Sequence, residues 1–408
     1  MGPITPWICL ILVWLVSPVQ AMAEEIVLGQ SAAFSGTSAG LGIELWRGAQ
    51  AYFNQLNAKG GVGGKKIRVI ALDDKYDGDF TLPNTIRLIT QDKVFALFGY
   101  VGTPTIVKAL PAVQRYQSEG VFLFSNFTGA EPQRNPPHDK YVINIRASYR
   151  NETQELVENF LKVGHKKIGV FIQDDAYGRS GADGVERALK EHGLKTAAEA
   201  TYHRGTGFES SMSEQAKILS SDKVSAVITV GSYAACAAFI RDARLNGFTG
   251  PIASLSFVGP QNLLSLLLNE EKRLGKPLTQ KLLNSSVVPL YTDAHVPLVK
   301  EYQEAMKKYA AAMDSKIMDP QYKPFDLGFI SLEGFLNAKT FTAILKRAKS
   351  PLTRKSFMDA VNSTRNLDVG LREKISFSPT DHNGLHKVYY LTPKNGEFVE
   401  VVDWDVFR

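Results

Sequence analysis

Three groups of residues in this sequence have types and spacings that could do chemistry. The first is Gly36-Thr37-Ser38-Ala39-Gly40, which has the G-x-S-x-G spacing of a nucleophile elbow, where a sharp strand-to-helix turn exposes a serine hydroxyl to attack a carbonyl. The context is wrong for Ser38 in that role, because several residues separate the motif from the apolar run Ile26 to Ala32 that should lead tightly into it. The second is histidine: His138, His165, His192, His203, His295, His382 and His386 show no HExxH pair or other metal-ligand spacing. Only His382 and His386 lie four apart, and they flank a turn. The third is the adjacent acids Asp73-Asp74 and Asp174-Asp175. Neighbours at a strand end point to opposite sides, so loop capping suits them better than paired acid–base work. The glycines 60, 61, 63 and 64 fail as a phosphate loop, since Gly64 is followed by Lys65-Lys66-Ile67 rather than Lys and Ser or Thr, and they read as a helix C-cap and turn.

The stretch Val94 to Pro132 suits binding rather than bond-making. Val94 to Phe98 is a short apolar run of the buried-strand type, ended by Gly99, Gly102 and Thr103. Pro104 stands where a first helical residue should be, since its missing N–H is not needed there. The free N–H groups of Thr103, Thr105 and Ile106, with the two threonine hydroxyls, would point out of that helix end and attract an anion, worth roughly 0.3 to 1 kcal/mol when exposed. A second strand, Val121 to Ser125, delivers Asn126, Phe127 and Thr128 to the same edge. The same pattern also fits an ordinary βαβ unit with a capped helix.

The elements around this stretch repeat. Strand patterns at Ile26 to Ala32 and Ile67 to Leu72 alternate with helical spacing at Gly42 to Lys59 and Leu82 to Asp92, which predicts a doubly wound parallel sheet with sites at the carboxyl ends of its strands. From Asn151 the alternation starts again, with strands predicted at Lys166 to Gln173, Leu194 to Tyr202, Val224 to Val230 and Pro251 to Leu255, and helices at Asn151 to Val163, Gly184 to His192, Glu209 to Leu219 and Tyr233 to Asn246. KKIRVIALDD (65–74) and KKIGVFIQDD (166–175) share a basic pair, an apolar run and paired acids, in keeping with two lobes of like architecture. After Gly259 a helical run, Val296 to Met313, and an amphipathic stretch, Phe325 to Ala348, read as the chain recrossing to complete the first lobe. Glu373 to Ser378, His386 to Leu391 and Phe398 to Trp404 read as a terminal meander turned by Asp381 to Gly384.

Of the 408 residues 44% are hydrophobic and 22% charged, a globular balance long enough for two domains. Met1 to Ala23 has no charged side chain, an apolar run from Trp7 to Val16 and a small-x-small ending at Ala21, Met22 and Ala23, which predicts a secretory signal peptide cleaved after Ala23. That run is short for a membrane span, and no later segment is long and apolar enough for one. Past Cys9 the chain keeps only Cys236, so no intramolecular disulfide is expected. The net charge of +6 is carried by scattered Lys and Arg beside acids, which argues against a nucleic-acid surface.

From Glu25 to about Tyr390 the chain resembles a type I periplasmic solute-binding protein of the branched-chain amino acid (leucine/isoleucine/valine) ABC transporter family. The resemblance is carried by LGQSAAFSGTSAGLG (28–42), LNAKGGVGGKKIRVIALDD (56–74), FALFGYVGTPT (95–105), LFSNFTGAEP (123–132), YVINIRASY (141–149) and IGVFIQDDAYG (168–178). It implies an α/β fold of two Rossmann-like lobes, residues 24–147 plus 290–380 and 148–289 plus 381–408, joined by three crossovers near Ala147, Pro289 and Asp381. It further implies a carboxylate-bearing or amino-acid ligand, no cofactor, no catalysis, a periplasmic location and an ABC permease as partner. By position, Thr105 resembles the hydroxyl that grips the ligand carboxylate, and Phe127, Thr128 and Gly129 resemble the second gripping loop, with Tyr100, Thr103 and Ser125 beside them. Tyr177 and Tyr233 match cleft positions of the second lobe. Departures follow: the acid that would receive an amino group falls near Ser256, a first-lobe aromatic position holds Leu41, and Tyr76 stands at one site of a family disulfide. Loss of the acid removes the partner a buried ammonium needs. A sensory module with the same cleft, and a secreted hydrolase using Ser38, are the alternative readings.

Overall fold

A computed structural model describes residues 25–221 and 223–408, together with Gly2. The expected signal peptide, with Cys9, lies outside the described residues apart from Gly2. Strands β1 (Glu25–Ala32), β2 (Lys66–Asp73), β3 (Ala96–Phe98), β4 (Leu123–Phe124) and β5 (Val142–Ile143) form a parallel sheet in the order β2-β1-β3-β4-β5. Helices α1 (Ala39–Ala58), α2 (Gly78–Thr90) and α3 (Thr103–Arg115) connect its first strands. The second sheet has the order β12-β11-β10-β9-β8-β6-β7, built from β6 (Ile168–Gln173), β7 (Ala198–Tyr202), β8 (Ala226–Val230), β9 (Ile252–Ser254), β10 (Leu282–Ser286), β11 (Tyr389–Lys394) and β12 (Glu397–Glu400). Its first five strands are parallel, while β11 and β12 run antiparallel. Helices α4 (Tyr149–Lys162), α5 (Ala176–Glu191), α6 (Ser213–Leu219), α7 (Tyr233–Leu245) and α8 (Pro260–Leu274) belong to it by sequence.

Three more helices return to the first sheet: α9 (Pro297–Tyr309), α10 (Phe329–Leu345) and α11 (Arg354–Asn362). Phe335, Phe341 and Phe357 from these helices pack with Phe53, Phe98 and Phe124 in one apolar core. Most of α10 is buried around its whole circumference, so the stretch read as amphipathic is a central helix. The chain thus passes between the sheets three times, after β5, after β10 and before β11. At two of these passages the segments run side by side: the Asn144 N–H donates to the His382 carbonyl at 2.9 Å and the Gly384 N–H to the Asn144 carbonyl at 2.8 Å.

The terminal meander differs from expectation. Among the described residues 373–378 contain no strand, only the isolated pairings of Ile375 with Leu367 and of Ser378 with Asp381, and the hairpin β11–β12 turns at Asn395 and Gly396, both at positive φ. Asp381 to Gly384 belong to the crossover instead. Cys236 is buried on α7, and burial pushes its thiol up to about 12. Among the described residues no helix is long and apolar enough to cross a membrane, and no group of His, Cys, Asp or Glu could hold a metal ion.

Candidate ligand-binding cleft

The carboxyl ends of the parallel strands in both sheets meet at one cleft, the place where doubly wound folds present ligand loops. On the first-lobe side, the loops after β3 and β4 are joined by the Phe127 N–H donating to the Tyr100 carbonyl at 2.7 Å and the Gly102 N–H to the Phe127 carbonyl at 3.2 Å. The hydroxyls of Thr103 and Thr128 lie 2.7 Å apart, and that of Thr128 reaches the Tyr149 hydroxyl at 3.2 Å. The Gly129 carbonyl accepts from the Tyr149 N–H at 2.7 Å. A Cβ on Gly129 would lie 2.6 Å from Tyr149 Cδ1, so only glycine fits there.

Aromatic rings join the two sides. The Phe127 ring centroid is 5.2 Å from that of Phe257, which is 4.6 Å from Tyr177 and 6.0 Å from Tyr76; Tyr177 lies 5.2 Å from Tyr149. All five are buried. Gln173 Nε2 crosses the cleft to donate to the Tyr76 hydroxyl at 3.2 Å, and Arg204 faces Asp77 at 3.9 Å. Polar groups within this apolar seam lack partners. The Tyr177 hydroxyl is one, and burial holds it well above its ordinary pKa, so it stays protonated as a donor. The Ser125 hydroxyl and both amide atoms of Asn126 are others. Each such group costs about 1 to 3 kcal/mol if left unpaired, which is what a solute with a few polar atoms would relieve.

Ser256 sits in a charged cluster. Its backbone N–H and hydroxyl both donate to the Glu152 carboxylate, at 2.8 and 2.9 Å, and its hydroxyl accepts from Arg146. The Arg146 guanidinium is stacked 4.6 Å over the Phe127 ring and lies between Glu152, at 3.9 Å, and Glu333 of α10, at 3.6 Å. Burial pushes Glu333 up to about 7, with Arg146 opposing and Glu152 reinforcing the shift. A buried acid, Glu152 from the first turn of α4, thus lies beside Ser256, with both oxygens already accepting from Ser256 and Ser285.

Other expected site residues are placed differently. The Tyr100 ring belongs to the first-lobe core and its hydroxyl pairs with Thr85 at 3.1 Å, so it does not join the cleft. The Thr105 hydroxyl donates to backbone, reaching the Gly102 carbonyl at 2.7 Å and the Val101 carbonyl besides, so its single hydrogen is committed. The Ile106 N–H, expected to be free, closes the first helical bond to the Gly102 carbonyl at 3.1 Å. Tyr233 lies at the cleft mouth, where its hydroxyl accepts from the Gly40 N–H at 3.3 Å. Ser38 is the buried residue preceding α1, and the ring nitrogens of His138, His165 and His382 bond to Tyr141, the Phe407 carbonyl, and the Asp139 carbonyl with Asn362, not to Ser38. Asp73, Asp74 and Asp175 accept loop and helix-start N–H groups, as capping residues do. Sequence reasoning missed Arg146, Glu152, Phe257 and Glu333. Arg146, the one charge in the apolar run YVINIRASY, was the legible signal among them.

Comparison with known proteins assigns this architecture. Residues 25–397 match the model of the periplasmic binding protein family. The chain belongs to that family. It is similar to an amino acid binding protein of Pseudomonas aeruginosa, 28% identical over 42% of this chain and 45% of that one, and to Leu/Ile/Val-binding protein homolog 7 of Brucella suis, 31% identical over 50% and 52%. The chain thus spans about half the length of these curated relatives. Among solved structures, a possible leucine/isoleucine/valine-binding protein from Rhodopirellula baltica is 32% identical, with a TM-score of 0.83 over 96% of this chain and 99% of that one. A branched chain amino acid ABC transporter protein from Thermus thermophilus, 16% identical, shares the fold at a TM-score of 0.78, covering 93% and 96%. The fold is that of the type I members of the family.

Proposed function

We propose that this chain is an extracytoplasmic solute-binding protein that takes a small carboxylate-bearing solute, an amino acid or related organic acid, between two closing lobes and presents it to an ABC permease. The lobes are residues 24–147 with 290–380 and residues 148–289 with 381–408. The observation that carries the reading is the aromatic seam of Phe127, Phe257, Tyr177 and Tyr149, which draws on both lobes and encloses unpartnered polar groups. Rings for an apolar side chain and a few fixed donors are what a pocket for such a solute requires. The names of the Pseudomonas, Brucella and Rhodopirellula relatives support an amino-acid ligand and, with the family, a periplasmic site of action.

Ser125, Phe127, Thr128, Gly129, Tyr177 and Ser256 are the proposed contacts, with Thr103 and Thr105 supporting the first loop. Glu152 lies beside Ser256, and a ligand ammonium would reach it only by displacing a Ser256 or Ser285 donor, so the ligand class extends from α-amino acids to carboxylates without an amino group. A thermal-shift screen of α-amino acids, aromatic acids and aliphatic acids tests this. A solute at about 100 times its Kd should stabilise the protein by about 2.7 kcal/mol. A screen in which no carboxylate raises the melting temperature rejects the proposal.

A further inference from the structure

Between α9 and α10 the chain runs from residue 310 to residue 328 without helix or strand. Connections longer than about 12 to 15 residues are uncommon in compact domains and are usually functional lids or binding loops. This one is tied to the first lobe at three points. The Asp319 N–H donates to the Phe34 carbonyl at 2.7 Å, the Asp319 carboxylate accepts from the Gly36 N–H at 3.1 Å, and the Phe325 N–H donates to the Glu44 carboxylate at 3.0 Å. Met313, Ile317, Met318 and Tyr322 pack into the same apolar cluster as the cleft residues Leu41, Phe127, Tyr177 and Phe257. Beneath its two ends lies a groove of about 690 Å3, bordered by Arg47, Met306, Lys307, Ala310 and Leu327, so its base is not packed solid.

Tyr322 is the point at which this segment meets the second lobe. Its hydroxyl donates to Glu44 of α1 at 3.1 Å and accepts from Asn262 Nδ2 of α8 at 3.3 Å. Burial, reinforced by the Glu44 carboxylate, keeps that hydroxyl protonated and able to donate. The two lobes also approach closely at this place. A Cβ on Gly40 would lie 2.1 Å from Asn262 Nδ2 and 2.7 Å from Tyr322 Cε2, and the Gly40 N–H already binds Tyr233 across the cleft mouth.

We propose that residues 310–328 form a strap that closes the cleft as a third wall, with the Tyr322 hydroxyl as the latch between Glu44 of the first lobe and Asn262 of the second. The proposal rests on the reading of the lobes as a closing clamp. The strap sets how long a solute stays bound.

The test is the lobe-to-lobe distance measured by pulsed electron paramagnetic resonance, with spin labels at Gln114→Cys and Lys190→Cys. These exposed positions lie near the C-terminal ends of α3 and α5, and buried Cys236 stays unlabelled. Distances are recorded for the protein alone and with L-leucine. Tyr322→Phe and Asn262→Ala are each expected to lower the ratio of closed to open molecules by about three- to tenfold, the effect of one net hydrogen bond. Lys323→Ala, an exposed neighbour on the strap, should match the parent protein. Distance distributions in both latch variants identical to the parent's, with and without L-leucine, overturn the latch. The measurement on the protein alone does not depend on solute identity, so a failed carboxylate screen and a failed latch are separate results.

Discussion

Both oxygens of the Glu152 carboxylate are turned to Ser256, Oε2 to its backbone N–H at 2.8 Å and Oε1 to its hydroxyl at 2.9 Å. Ser285 also donates to this carboxylate, and Arg146 stands 3.9 Å away, so a fully buried charge is surrounded by donors. Removing one member of such a buried cluster leaves the others uncompensated, at about 3 to 5 kcal/mol. Glu152→Ala should therefore destabilise the protein by that amount in urea unfolding, while Glu152→Gln, which keeps the shape and most hydrogen bonds, should cost clearly less. Equal losses would show that the charge itself does not organise the cluster.

Glu333 gives stability a pH dependence opposite to that of an exposed ion-paired carboxylate. Burial holds its folded-state pKa at about 7 against an ordinary 4.5, with Arg146 and Arg134 pulling it down and Glu152 pushing it up. Between those values the folded chain keeps a proton that the unfolded chain has lost, so this contribution is complete below 4.5 and is lost as pH rises through about 7. Buried Asp74, also raised to about 7, acts in the same direction. Urea unfolding of Glu333→Gln should show a smaller fall in stability than the parent between about pH 5 and about pH 8. Parallel profiles would contradict the assignment.

Tyr177→Phe separates stability from binding. The hydroxyl is buried without a partner, so its removal should leave the melting temperature of the free protein unchanged or slightly raised. If that hydroxyl is a ligand donor, the same variant should bind its best carboxylate about tenfold more weakly, near the 1.4 kcal/mol that a tenfold change represents. Weaker folding with unchanged affinity would assign Tyr177 to the core alone.

Most of the strand segments were legible because buried parallel strands leave short apolar runs between turn residues, whereas their order in each sheet was not. What escaped has physical reasons. The predicted helix begins only at Gly184, because Gly178 and Gly181 in the first two turns of α5 argue against helix, yet they allow the Gln173 backbone and the Val230 side chain to approach closely. Helix α11 is short and marked mainly by its Thr353–Ser356 capping box. The segment 310–328 was partly read as helix because Lys307 to Met313 continue the spacing of α9, which ends at Tyr309. In the cleft, Phe127, Thr128, Gly129 and Tyr177, proposed as contacts, were named from motif positions. Arg146 stands out as the one charge in an apolar run, but its meeting with Glu152 and Glu333 could not be read, since which buried charges meet depends on how α4, α10 and the loop after β9 pack, and no local spacing encodes that.

The central claim is that one solute is held by residues of both lobes. Calorimetric titration of the carboxylate that gives the largest thermal shift tests it most directly, using the parent protein, Phe127→Ala from the first lobe and Tyr177→Ala from the second. The account predicts one site, a negative heat-capacity change from burial of apolar surface, and a large loss of affinity in both variants. Binding that survives intact in either variant, or no binding by any carboxylate, would contradict it.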